Sequence, residues 1–243
     1  MASLIPPCRM PCRVPSILTT NPQCFRRTTE QHSSMTCTDS LGNAPSTDDV
    51  GRVLWLVPHG QTTWNSMGWV EGHVDRARFT RRGRVEIHRA ADRLSEEAIS
   101  AVYSSDLLRA RRTATAIARR LKREVRTDQR LRERGFGIAE GVPWTELPSA
   151  LSGIANGRVV DEMARPPGGE SLHDVYARCL TFLLDLVGQS NQGHVVVVAH
   201  DGSIRMLRAI AADVGLAQIE WETDRIVGPQ QVILPSVTST TAS

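Results

Sequence analysis

Two histidines occupy positions at which layered α/β proteins do their chemistry. His59 lies just beyond the apolar run Val53-Leu54-Trp55-Leu56-Val57, and His200 directly follows Val195-Val196-Val197-Val198-Ala199. Each run reads as a short strand buried on both faces. Each histidine is followed, at once or one residue later, by glycine: Gly60 and Gly202. Ligands of open α/β sheets bind beyond the carboxyl ends of the strands, so two imidazoles there mark a candidate crevice. A neutral imidazole is a nucleophile that can split one hard displacement into two. It must be held in one tautomer, usually by a carbonyl bonded to its other nitrogen. Attack at phosphorus would give a phosphohistidine.

Phosphoryl transfer spreads charge over the phosphoryl oxygens, so the rest of the site must supply positioning and electrostatic stabilisation. Arg109 suits this through its forked donors. Asn65 can donate an amide hydrogen, and a protonated His200 a charge-assisted bond. Gly60 leaves room for close backbone approach to a phosphate, and Asp201 beside His200 is placed in the same phosphate-binding group. The leaving alkoxide needs a proton, for which Glu133 is the candidate acid, its pKa raised by burial or a nearby phosphate. Each assignment has a plainer rival. Arg109 could be a solvated helix arginine like Arg111 and Arg112, and Glu133 could pair with Arg132 or Arg134. His73, His88, His173 and His194 read as surface residues. Trp55, Trp64, Trp144 and Trp221 read as packing.

These side chains need strands and helices to hold them. Thr80 is placed to cap a helix over 81–97, and 98–103 reads as a second strand. Residues 106–121 alternate Leu, Ala and Ile with arginine at helical spacing. A short third strand is expected near Val125, and the proline-broken stretch 141–169 as an irregular insertion or lid. Helices follow over 170–187 and 203–214, flanking the 195–199 strand, and 231–234 adds an edge strand. Alternating strands and helices predict a three-layer α/β/α fold around a mostly parallel central sheet.

The 243 residues are 40% apolar and 23% charged, enough for one core and too little charge for wholesale disorder. No apolar run approaches the 18 or so residues of a membrane span. The net charge of +3 is too slight to argue for nucleic acid. Lys122 is the only lysine, a bias that fits GC-rich codon usage as well as a preference for forked donors. Four of five cysteines (8, 12, 24, 37) precede Cys179 in the tail, a count and spacing unlike a disulfide framework or a zinc site. The compartment is therefore read as reducing. Residues 1–50 are Ser/Thr/Pro-rich and read as a disordered tail. Residues 1–34 are either a targeting segment or lie ahead of a start at Met35. The folded domain is expected over 51–235, with a flexible end over 236–243.

Taken together, these segments resemble a known family. Val57-Pro58-His59-Gly60-Gln61-Thr62-Thr63-Trp64-Asn65 is similar to the strand-end signature of the histidine phosphatase superfamily, also called phosphoglycerate-mutase-like. Ser104 to Ala114, Leu131 to Gly137 with Glu140-Gly141, Gly168-Gly169-Glu170-Ser171 and His200 to Arg205 resemble its further motifs, in family order over about 52–214. The resemblance implies a phosphoglycerate-mutase-like fold. It implies phosphomonoester hydrolysis through a phosphohistidine on a small phosphorylated metabolite, with His59, Glu133 and His200 catalytic and Arg109 on the phosphate. No cofactor and no metal are expected, since cationic side chains take the metal's place, and the protein is expected to be a cytoplasmic monomer or homodimer without a nucleic-acid or membrane partner.

One position departs from the pattern. In the family an arginine directly precedes the nucleophile, and here that residue is Pro58. Loss of a buried charge partner costs about 2–5 kcal/mol, or roughly 30- to 4000-fold in rate. Three outcomes follow: another arginine (Arg205, Arg76 or Arg78) substitutes, the phosphatase is weakened, or the protein is a phosphate-binding or regulatory relative without turnover. A phosphoglycerate-mutase-type phosphotransferase is the further alternative. It is disfavoured because only 67 positions separate Glu133 from His200, and 141–169 offers only Arg158 and Arg165 as basic residues.

Overall fold

The computed structural model describes residues 52–189, 193–221 and 225–234. The expectations for the tail over 1–50, the alternative start at Met35 and the end over 236–243 lie outside them. In chain order the elements are β1 (Arg52–Pro58), α1 (Thr63–Met67), α2 (Arg81–Leu94), β2 (Ile99–Ser104), α3 (Leu108–Leu121), β3 (Val125–Thr127), α4 (Ser149–Ser152), β4 (Ile154–Ala155), β5 (Arg158–Val159), α5 (Leu172–Val187), β6 (His194–Ala199), α6 (Asp201–Ala211) and β7 (Gln230–Leu234).

The central sheet runs β3-β2-β6-β1-β7. β1, β2 and β3 continue a parallel ladder through β6 and β2, and β7 closes the β1 edge antiparallel. This is the expected mixed α/β architecture. Residues alternate across the sheet, as pleating requires. Trp55, Val57, Val196 and Val198 face Ala90, Leu94, Ala114 and Ile117 of α2 and α3. Leu54, Leu56, Val195 and Val197 face Phe182, Leu186, Ile204 and Leu207 of α5 and α6. Burying each such aliphatic or aromatic side chain contributes about 1.5–3 kcal/mol, and both faces of β1 and β6 are used. The apolar runs are continuous for that reason.

Caps place most boundaries. Thr80 accepts from the Gly83 N–H at 3.0 Å, as expected, but α2 stops at Leu94 because Ser95 caps it. α5 starts after Ser171, whose hydroxyl accepts from Asp174 N–H while Asp174 Oδ2 accepts from Ser171 N–H. α6 starts at Asp201, two residues before the expected Ser203, with His200 itself as the N-cap. The stretch over 141–169 holds α4 and the β4–β5 hairpin rather than wholly irregular chain. The buried Arg134 guanidinium ties it down, donating to the carbonyls of Leu151, Ser152 and Ala164.

Candidate active site

The order β2-β6-β1 brings three strand ends side by side. His59 N–H donates to the Ala199 carbonyl at 3.1 Å, and Ser105 N–H to the Val198 carbonyl at 3.0 Å. His59, His200 and Ser105 therefore share one crevice mouth. The two imidazole centroids are 5.1 Å apart, with planes tilted by 58°. His59 Nδ1 lies 2.9 Å from the Gly60 carbonyl. That oxygen can only accept, so the proton sits on Nδ1 and Nε2 carries the lone pair. His200 Nε2 lies 2.9 Å from Ser105 Oγ.

Burial, and then the Arg109 charge, hold both imidazoles well below the usual histidine range. His59 is thus neutral, as a nucleophile must be. The same burial favours the neutral form of His200, so a charge-assisted bond from it requires a protonated ring. A phosphate dianion would be needed to recharge it.

Arg109 is buried, whereas Arg111 and Arg112 on the same helix are exposed. Its fork is not free. Nη1 donates to the Val74 carbonyl at 3.1 Å and Nη2 to the Gly72 carbonyl at 2.7 Å, so the two outer nitrogens hold the 72–74 loop. Nε lies 3.2 Å from Glu71 Oε2, without an aligned hydrogen bond. Glu71 was not singled out in the sequence, yet it lies at the centre of the cluster. Its carboxylate accepts from Thr62 Oγ1 and, at 3.2 Å, from Asn65 Nδ2, and its Oε2 is 3.8 Å from His59 Nε2. A capping box orients these donors: Thr62 N–H donates to Asn65 Oδ1, and Asn65 N–H to Thr62 Oγ1. Only the placement of an acid beside Gly72, just after the buried Val70, could have drawn attention to it.

Glu133 is bonded by neither flanking guanidinium. Arg132 pairs with Asp106, and Arg134 with carbonyls. The Glu133 carboxylate accepts from Arg134 N–H at 2.8 Å and from Gly202 N–H at 3.2 Å, at the start of α6. Loss of hydration raises its pKa above the usual carboxylate value, against the pull of those two N–H groups. A Cβ on Gly202 would come within 2.3 Å of Glu133 Oε1, so a larger residue there would push the carboxylate out of this position.

Two expected phosphate contacts are otherwise engaged. The Asp201 carboxylate accepts from Arg205 Nε at 2.9 Å and from Ile226 N–H at 2.8 Å, fastening α6 to the chain before β7. Gly60 is glycine because α2 presses on it: a Cβ would meet the Gly83 carbonyl at 2.6 Å. Its N–H donates to Thr113 Oγ1. Of the arginines considered as substitutes for the one absent at Pro58, Arg205 is on Asp201, and Arg76 and Arg78 are exposed. Arg225 approaches from the other side of the residue, donating to the His59 backbone carbonyl at 3.0 Å and pairing with Glu86 at 2.8 Å. His73 is half-buried, 2.8 Å from the Glu133 carbonyl, rather than a plain surface residue. A separate concavity of about 350 Å³, lined by Ile99, Arg120 and Arg123 among others, sits at the amino end of β2, away from this cluster.

Paired buried imidazoles, a buried arginine and a desolvated acid at the carboxyl ends of the inner strands are accompanied by a family match over residues 54–224, to the Histidine phosphatase superfamily (branch 1). The chain belongs to the histidine phosphatase superfamily. Among its curated relatives, it is 42% identical to phosphoglycerate mutase-like protein 4 of Arabidopsis thaliana, over 63% of this chain and 67% of that protein. It is 34% identical to a metal-independent phosphoserine phosphatase of the same plant, over 63% and 65%. It is also 34% identical to a glucosyl-3-phosphoglycerate phosphatase of Mycolicibacterium vanbaalenii, over 70% and 77%. Among solved superfamily structures, a mycobacterial glucosyl-3-phosphoglycerate phosphatase complexed with VO3 superposes with a TM-score of 0.64 at 30% identity, covering 74% of this chain and 89% of that one. The phosphoserine phosphatase of Entamoeba histolytica with 3-phosphoglyceric acid gives 0.63 at 25% identity, over 79% and 98%.

Proposed function

We propose that this protein hydrolyses a small phosphorylated metabolite through a phosphohistidine on His59. The observation that carries the reading is the neutral His59, with Nδ1 on the Gly60 carbonyl, set 5.1 Å from His200 and beside the buried Arg109. Nε2 attacks phosphorus, a P–N bond forms and the ester P–O bond breaks. Glu133 gives its proton to the leaving alkoxide. Water then attacks the phosphohistidine, Glu133 takes a proton from that water, the P–N bond breaks, and inorganic phosphate leaves a neutral imidazole.

Relatives named for phosphoserine and glucosyl-3-phosphoglycerate support a phosphorylated acid or its glycosyl derivative as the substrate class. The name of one relative, metal-independent, fits chemistry run by side chains alone. We place the enzyme in the cytoplasm, as a monomer or homodimer. The buried, unpaired Cys179, its thiol pushed up to about 12 by burial, suits a reducing compartment. Among the described residues no helix is long and apolar enough to cross a membrane.

A second reading, phosphate binding without turnover, draws on Pro58, which brings no cation to the nucleophile. One experiment separates the two. Incubation with a phosphomonoester and acid-labile phosphate trapping should label wild type and leave His59→Ala unlabelled. An unlabelled wild type refutes turnover through His59.

A further inference from the structure

Glu71 sits in this pocket as an anion would. Thr62 Oγ1 and Asn65 Nδ2 donate to its carboxylate, Arg109 Nε stands 3.2 Å from Oε2, and His59 Nε2 is 3.8 Å from the same oxygen. Glu71 is only 5% exposed. Two buried polar atoms of this cluster, Arg109 Nε and His200 Nδ1, have no hydrogen-bond partner among the described residues. Asp75 adds a second carboxylate, 3.6 Å from Arg109 Nη1. Arg109 is thus the cation facing the nucleophile, and its charge is already matched.

We propose that the Glu71 carboxylate is an internal competitor for the phosphoryl position, so that a phosphate dianion binds only by displacing it from Arg109, Asn65 and Thr62. The idea rests on the reading that this pocket receives the phosphoryl group. It assigns Glu71 the role of setting phosphate affinity. Two anions cannot share one guanidinium edge and two neutral imidazoles without strong repulsion. Phosphate affinity is therefore set low, and product phosphate leaves readily.

The test is equilibrium binding of inorganic phosphate, and separately of orthovanadate, to wild type, Glu71→Gln and Glu71→Met by calorimetry at neutral pH. Glutamine keeps the shape and the oxygen acceptor; methionine keeps the volume without charge or hydrogen bonds. Both should tighten phosphate by about tenfold or more, the scale of removing one like charge from a partly screened site. The tightening should be largest for glutamine. Unchanged or weaker binding in both variants, with thermal melts showing them folded, overturns the proposal, as does absence of phosphate binding in all three proteins. Tightening together with an unlabelled His59 would leave this inference standing while refuting the hydrolytic mechanism. Labelling without tightening would do the reverse.

Discussion

At the scale of single residues, the proposed mechanism turns on two groups pushed in opposite directions. His59 is driven down by burial and by Arg109, and Glu133 is driven up by burial. Activity should rise with pH as His59 loses its proton, at values below the usual histidine range. It should fall again as Glu133 ionises, above the usual carboxylate range. Glu133→Gln should lower kcat by about 10²–10⁴ and remove the falling limb of the kcat/KM profile; an unaltered limb would assign the acid elsewhere. Pro58 brings no cation beside His59, and the proposed competition by Glu71 would act on phosphate binding rather than on these two titrations. Both histidines were legible because a strand end followed by glycine is a positional signal. Glu71 was not, because its role comes from convergence of Thr62, Asn65 and Arg109, the last of them 38 positions away in the chain.

At the scale of elements, pieces are clipped together by buried and half-buried arginines. Arg178 on α5 donates to both Glu170 oxygens, at 2.9 and 3.0 Å, and to the carbonyls of Arg130, Arg132 and Glu133 at 2.7, 2.7 and 3.0 Å. It therefore sets the backbone that carries the acid. Arg178→Met should cost about 2–4 kcal/mol by stranding those partners. That corresponds to a Tm fall of roughly 5–15 °C by calorimetry, with kcat reduced more than KM is raised. Helix and strand positions were readable from apolar period and caps. α1, only five residues long, was not, because its capping box lies inside a segment without periodicity. The inward engagement of Arg134, Arg178 and Arg225 was equally unreadable. A basic residue on an amphipathic pattern reads as solvated, and only tertiary structure supplies the carbonyls that satisfy it.

At the scale of the whole molecule, two neutral imidazoles enclosed between the helical layers link folding to acidity. Their folded pKa values lie below the unfolded value of about 6.5. The stability they bring is fully present above that value and is lost as pH falls through it, because the unfolded chain takes up protons the folded one refuses. The slope is at most about 1.4 kcal/mol per group per pH unit. Glu133 acts oppositely, since a raised carboxyl favours the folded state at low pH and loses that contribution as pH rises through its folded value. The histidines should dominate between pH 6.5 and 5, so Tm should drop across this window in differential scanning calorimetry. The drop should be clearly shallower in a His59→Gln/His200→Gln double variant. Equal slopes would mean that neither ring is held neutral. The layer architecture itself was legible as a whole, since strands covered on both sides must be apolar at every position.

Arg225 has a consequence for where this chain can be shortened. The last motif block ends at Arg205 and the family match at residue 224, yet the carbonyl of His59 is gripped from residue 225, and Asp201 is fastened by the residue after it. A chain cut back to its last motif would keep every one of these reactive groups and lose the clasp. Catalytic competence should therefore depend on a short stretch that looks dispensable when the sequence is read for motifs alone.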